Sequence, residues 1–261
     1  MPTVVSLSSP RSRNGSHGRG WAAAWHVAIS AGVLTAVAVL VLSLWFPGAY
    51  REMAGGLGLL ALIVGVDLVL GPLLTLVVFD RRKPRRELVV DLAIVGLLQL
   101  SALAYGVWST ASARPTHLVL EAGVFRVVTA AQVDVDTLSM AAPELQRMPW
   151  SGPVVIAARL PRDAGQQLQS ILEGLGGLHL AMQPKYWVHL ESELAQIHRY
   201  GKPLGELPLT AGERSARVDR LLSDRPDAEG LRWLPVVARQ GDWAAIVGAD
   251  GRPLLFVRTE R

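Results

Sequence analysis

The chain contains no cysteine. That excludes disulfides, thiol nucleophiles and cysteine metal sites, and it leaves open the compartment in which the chain folds. Charge is also scarce, at 18% of the 261 residues, and it is unevenly placed. Up to Ser112 there are nine Lys/Arg and five Asp/Glu, and from Ala113 onward there are seventeen of each. The net charge of +4 therefore belongs to the N-terminal part. It does not describe a basic nucleic-acid-binding face, and no DNA- or RNA-binding motif is present. Chemistry-bearing motifs are missing as well. There is no glycine-rich phosphate loop, and Ser151-Gly152 and the other serines lack a nucleophile elbow. His179, His189 and His198 are spaced by ten and then nine residues, which fits neither HExxH nor a zinc finger. Asp134 and Asp136 flank Val135, and nothing around them supports a glycosidase pair. No metal, cofactor or enzymatic activity is expected.

What the chain has in quantity is long apolar runs. Half of its residues are hydrophobic and its mean hydropathy is +0.30. Crossing a bilayer takes about 20 apolar residues. Residues 21–46, 55–79 and 88–108 each supply such a run, and each is too long for a buried helix that lacks a polar face. The first has too long an apolar core for a cleaved signal peptide. The small-x-small sequence Ala111-Ser112-Ala113 follows the third run instead. Lys/Arg placement sets a direction. Arg11, Arg13 and Arg19 precede the first run, and Arg81, Arg82, Lys83, Arg85 and Arg86 fill the connection between the second and third. The first connection has only Arg51, beside Glu52. The positive-inside rule then puts the tail and the basic loop in the cytoplasm and the segment from Ala113 onward in the periplasm. Trp21, Trp25, Trp45, Phe46, Tyr105 and Trp108 stand near the span ends, as interfacial aromatics do. The basic loop reads as a topological anchor, with contact to anionic lipid or a cytoplasmic assembly partner as the other reading. The expected organisation is a disordered basic tail (1–20), a three-helix transmembrane domain (21–112) and a periplasmic domain (113–261).

Polar residues inside the apolar runs are costly and face a partner. Spans two and three form a hairpin about the basic loop, so positions at equal depth have residue numbers of constant sum. Asp67 and Gln99 each lie roughly 20 Å from that loop, and Thr75 and Asp91 roughly 7–8 Å from it. Two polar layers follow: Asp67 with Gln99, and Thr75 with Asp91. An aspartyl protease would need two carboxyls sharing a proton. Asp67 and Asp91 differ in depth by roughly 12 Å on the helical rise. Gly65-Val66-Asp67 is also not the GxGD pattern of such proteases. A proton pathway is poorly served by three spans with one deep carboxylate. Pro72 cannot donate to the carbonyl of Leu68, so a kink is expected there. Gly71, at the depth of Val95 and Gly96, permits close helix approach: a packing kink, or a notch for another transmembrane helix.

Beyond Arg114 the pattern is α+β. Strands are expected at 117–121 and 124–128 around Ala122-Gly123, and at 154–159. Helices are expected from Pro161 to Leu175, closed by Gly176-Gly177, and at 192–198 and 211–222. Segments 233–239, 243–249 and 253–257, with Asp250-Gly251 as a hairpin turn, predict a C-terminal antiparallel meander. The aromatic stretch Pro184-Lys185-Tyr186-Trp187 reads as a half-buried loop or a contact surface.

The run VDLVLGPLLTL at 66–76, followed by Asp91-Leu92-Ala93, Gln99-Leu100, Ala104-Tyr105-Gly106 and Ala113-Arg114-Pro115, resembles the hallmark of the type IV pilin accessory proteins of the TfpX/TfpZ, FimB-like kind. The likeness covers residues 40–130 well and the rest weakly. It implies an inner-membrane, chaperone-like factor that assists type IV pilin stability or pilus assembly and is not an enzyme. The implied partners are a type IV pilin, major or minor, together with membrane lipid and a second copy of the chain. A pilin anchored by its hydrophobic helix, with its head outside, would meet both the spans and the periplasmic domain. The candidate docking residues are then Asp67, Gly71, Pro72, Thr75, Asp91 and Gln99, and the candidate periplasmic contacts are Arg114, Pro115, Tyr186 and Trp187. The competing reading is a membrane-anchored periplasmic ligand-binding sensor or scaffold. A cytoplasmic effector domain would favour it, and the tail and six-residue loop supply none.

Overall fold

A computed structural model describes residues 14–78, 83–208, 213–223 and 230–259. Arg11, Arg13, Arg81 and Arg82 of the sequence argument lie outside the described residues, as do positions 211–212 of the expected third helix. The chain divides into two compact units, one of residues 1–39 and 60–108 and the other of residues 40–59 and 109–261.

The first unit is built from three helices: α1 (Asn14–Leu40), α3 (Gly56–Val78) and α4 (Arg85–Ala113). The backbone is already helical at Asn14, inside the segment read as a disordered tail. Segments Ala24–Trp45, Gly56–Val78 and Arg85–Ala113 are each long and apolar enough to cross a membrane. Their exteriors are what lipid requires: Val69, Leu73, Ile94 and Leu97 are all exposed aliphatics. The inward stripe of α3 runs at a spacing of four, through Ile63, Asp67, Gly71 and Thr75. Two of its four members are polar.

The second unit is an eight-stranded mixed sheet. Its strands are β1 (Pro115–Glu121), β2 (Val124–Thr129), β3 (Val154–Ala158), β4 (Trp187–Val188), β5 (Lys202–Pro203), β6 (Arg232–Val237), β7 (Asp242–Val247) and β8 (Pro253–Thr259). The order is β4-β3-β1-β2-β6-β7-β8, with β5 on β6. The C-terminal meander β6-β7-β8 is antiparallel as expected, but it is not a separate layer. Parallel pairing of β2 with β6, and of β1 with β3, joins it into one sheet. Pro235 is tolerated inside β6 because one edge of that strand changes partner there. β5 pairs at Arg232 and Trp233, β2 pairs at Val236 and Val237, and Pro235, opposite Ala244 of β7, lies between the two on that edge.

One face of the sheet buries Leu118, Leu120, Phe125, Leu234 and Ala245 under helix α6 (Leu194–Tyr200) and under the connection between the first two apolar helices. That connection contains α2 (Tyr50–Met53) and is a core element: Tyr50 and Met53 are buried, and Tyr50 meets Phe256 edge-on at 5.4 Å. The backbone N–H of Gln240 donates to the Met53 carbonyl at 3.0 Å, and that of Gly152 donates to the Leu44 carbonyl at 2.7 Å. The connection and the sheet domain therefore share one side of any membrane the helices cross. The opposite face is covered by irregular turns carrying Val133, Leu145, Leu180 and Met182, and further along by α7 (Glu213–Ser223) with Val218.

The β1–β2 hairpin shows how the sequence sets a turn. Ala122 and Gly123 both take positive φ, 48° and 84°, the two-residue turn whose twist suits adjacent strands. A Cβ on Gly123 would stand 2.5 Å from Tyr200 Cγ. Gly123→Ala is expected to destabilise by about 1–2 kcal/mol from the backbone conformation alone, with the Tyr200 clash in addition. Denaturant unfolding of the whole chain in detergent measures this, and Ala122→Gly, which relaxes the other turn residue, serves as the contrasting variant.

Candidate functional site

The first unit gathers polar side chains from all three apolar helices around two successive turns of α3. Thr75 is 2% exposed, and its hydroxyl donates to the Gly71 carbonyl at 3.0 Å. The same oxygen lies 3.0 Å from Nδ1 of His26 on α1. Because the hydroxyl proton goes to the carbonyl, the ring nitrogen is the donor in that second bond. Gly71 sits at the centre. A Cβ there would collide with the amide of Gln99 on α4 and come within 2.8 Å of His26 Nε2. Glycine is what lets an amide and an imidazole pack directly on the α3 backbone. Helix α3 continues through Pro72 to Val78.

Asp67, one turn before Gly71, is 7% exposed. Among the described residues no donor reaches its carboxyl. It opens instead onto a cavity of about 210 Å³ lined by His26, Ser30, Leu34, Gln99, Leu100 and Leu103. A buried carboxyl without a hydrogen bond is costly in hydrocarbon, so this cavity has one unused polar wall.

Asp67 and Gln99, expected as one polar layer, both line this cavity, but the Gln99 amide lies against Gly71 and no hydrogen bond joins it to Asp67, so the first layer is a shared wall and not a bonded pair. The second layer is corrected. Thr75 pairs with His26, and Asp91 accepts from Lys83 Nζ at 2.6 Å, so Thr75 and Asp91 do not form a layer. The hairpin sum fixes depth along two helices but is silent about the third. His26 was missed for that reason. Its signal was visible, an imidazole inside an apolar helix, the same irregularity that drew attention to Asp67.

The four candidate contacts on the sheet-domain side separate. Trp187 is 3% exposed; its ring lies 4.2 Å from that of His117, and its Nε1 donates to the Ala181 carbonyl at 2.9 Å. It is a core residue and not a contact surface. Pro115 is buried at the start of β1. Tyr186 is partly buried against the same cluster, with Lys185 over its ring. Arg114 donates to the Ala111 carbonyl at 2.6 Å and stacks over Trp150 at 5.4 Å. Trp150 is 67% exposed, whereas Trp187, Trp233 and Trp243 of the sheet domain are buried.

The sheet domain also contains a cleft of about 610 Å³ that includes Ser112, Arg126, Thr129, Gln132, His179 and Arg239. Arg126 is held by Glu121 at 3.0 Å. Burial, and then the charge of Arg126, lower the pKa of His179 below its ordinary value. No three His, Asp or Glu side chains among the described residues are placed to hold a metal ion. His189 instead contacts Glu144 at 2.6 Å on the surface.

Residues 16–55 match the family model described as fimbrial assembly protein FimB. The fimbrial assembly protein of serogroup I from Dichelobacter nodosus is 31% identical over 225 residues, covering 85% of this chain and 88% of the relative. The serogroup E1 protein of the same organism is 30% identical with the same coverage. The protein of serogroups C1 and C2 is 32% identical over 116 residues, covering 44% of this chain and 88% of that relative. No solved structure matches.

Proposed function

The chain belongs to the family of FimB fimbrial assembly proteins, and we propose that it serves fimbrial biogenesis by holding a type IV pilin in the membrane before or during assembly. On this reading it is a non-enzymatic, chaperone-like factor of the inner membrane, with the basic loop cytoplasmic and the sheet domain periplasmic. Asp67 carries the proposal. A buried carboxyl that faces a cavity between three helices, with no donor of its own, suits a polar group brought in by a fourth helix. The pilin helix would enter beside Leu100, and the pilin head would meet the sheet domain near the exposed Trp150.

Leu100 is 66% exposed and lines the cavity, so it accepts a photo-crosslinking residue without disturbing the Gly71 contact. In cells that make the pilin, a crosslink from Leu100 to pilin is expected. Asp67→Leu is expected to lower its yield roughly fivefold, the factor that matches one interhelical hydrogen bond of about 1 kcal/mol. Unchanged crosslinking and unchanged piliation in Asp67→Leu would sink the proposal. A second reading, a ligand-binding sensor or scaffold, draws on the cleft in the sheet domain. It would gain if the crosslink were absent and a small ligand raised the thermal stability of the chain.

A further inference from the structure

Helix α5 (Ala164–Leu175) is amphipathic the wrong way round for a soluble domain. Asp163 caps it, with Oδ1 accepting from the Gln166 N–H at 2.9 Å. Its buried residue is Ser170. Leu168, Ile171, Leu172 and Leu175 form a stripe at i, i+3, i+4 and i+7, and they are 60%, 59%, 59% and 82% exposed. Helices of water-soluble domains turn such a stripe inward. Four aliphatics held outward on one face therefore call for a cover.

The neighbourhood of α5 identifies that cover. Just past its C-terminal end, Gly177 and His179 line the same cleft as Ser109, Ser112 and Ala113, the last turns of apolar helix α4. The end of α5 thus lies where the chain emerges from its third membrane-length helix. A second marker agrees. Trp150, 67% exposed, meets Trp45 edge-on at 5.9 Å, and Trp45, itself buried, closes the first membrane-length segment, so Trp150 is the exposed tryptophan beside that span end. Tryptophan at a span end is the mark of the headgroup level. Charge agrees as well. Arg239 lines the cleft beside α5, together with Arg126, which is paired with Glu121, and with the neutral His179, and among the described residues no carboxylate lines it, which suits an anionic headgroup layer. We infer that α5 lies in the surface of the bilayer on the sheet-domain side, with its Leu168–Ile171–Leu172–Leu175 stripe at the boundary of headgroups and acyl chains. The sheet domain then rests on lipid through a monotopic helix, and the membrane itself is a partner. This stands apart from the pilin reading and requires only that the three apolar helices span.

The absence of cysteine makes the test direct, since one introduced thiol is unique. The full chain carrying Leu172→Cys, or Gln169→Cys as the polar-face control, is labelled with an environment-sensitive fluorophore. Each is placed, one chain per disc, in nanodiscs of phosphatidylethanolamine and phosphatidylglycerol with nitroxide-bearing lipid. The label at position 172 is expected to shift to the blue and to be quenched severalfold more strongly than the label at 169. Equal, weak quenching at both positions overturns the inference. So does protection of position 172 that occurs only with two chains per disc, which assigns the stripe to a second copy. Should Leu172→Cys fail to fold, Leu168→Cys reads the same face.

Discussion

Gly71→Ala is expected to loosen the three-helix unit more than any other single methyl group added to its interior. The new Cβ would fall on the Gln99 amide and within 2.8 Å of the His26 ring. The Gln99 side chain can swing away, but the imidazole is held by Thr75 at 3.0 Å, and Thr75 is held by the Gly71 carbonyl. Making room therefore means parting with a hydrogen bond between helices. Overpacking costs about 1–3 kcal/mol, and an interhelical hydrogen bond contributes about 1 kcal/mol more. Gly71→Leu, with three further carbons at the same point, is expected to exceed both. The measurement is resistance of the membrane-embedded chain to heat and protease, read together with piliation. Gln99→Ala supplies the second arm. Removing the amide takes away the nearest obstacle, so Gly71→Ala should cost less in the Gln99→Ala background, by at least about 0.5 kcal/mol of coupling. Equal cost in both backgrounds would mean that Gly71 and Gln99 do not share a packing site. If the proposed docking role holds, pilin crosslinking from Leu100 falls along with stability in the single variant and recovers in the double.

The reach of the sequence reading followed the range of the interactions involved. The three membrane-length helices were legible because hydropathy over about 20 residues is a local property. The β1–β2 hairpin and the β7–β8 hairpin were legible because Ala122-Gly123 and Asp250-Gly251 specify their turns locally. The parallel pairing of β2 with β6 was not, since these strands are joined through most of the domain and no turn signals their meeting. The connection at residues 46–55 read as a short link with little charge. Its burial of Tyr50 and Met53 beneath the sheet rests on contacts with strands more than a hundred residues away. Within the polar cluster, depth was computable from helical rise but rotation was not. Asp67 and Gln99 consequently came out together, while Thr75 turned to an imidazole on a helix the arithmetic did not include. Trp187 misled for a different reason. An aromatic beside lysine and tyrosine suggests a surface, yet its burial is decided by His117, seventy residues earlier in the chain.

His117 should give the sheet domain a stability that falls with acidity. The ring is 2% exposed, packs on Trp187, and has Nδ1 3.1 Å from the Thr116 hydroxyl. That hydroxyl donates to the Val128 carbonyl, so the imidazole is bound as a neutral donor. Burial lowers its pKa from 6.5 to about 4. The unfolded chain takes up a proton near pH 6.5 that the folded chain refuses until about pH 4. Stability is therefore fully present above the unfolded value, is lost as pH falls through the window between the two, and stops falling below the folded value. The full loss is about 3 kcal/mol, and roughly 2 kcal/mol of it has gone by pH 5. His117→Leu keeps an apolar contact with Trp187 and removes the titrating group. It should be less stable than the parent at neutral pH, because the Thr116 hydroxyl loses a partner, yet its unfolding free energy should change less between pH 7 and pH 4.5. The difference between the two slopes isolates His117 from the carboxylates that titrate in the same range. Parallel slopes would mean that the imidazole is protonated in the folded domain, and so that the space around Trp187 admits water.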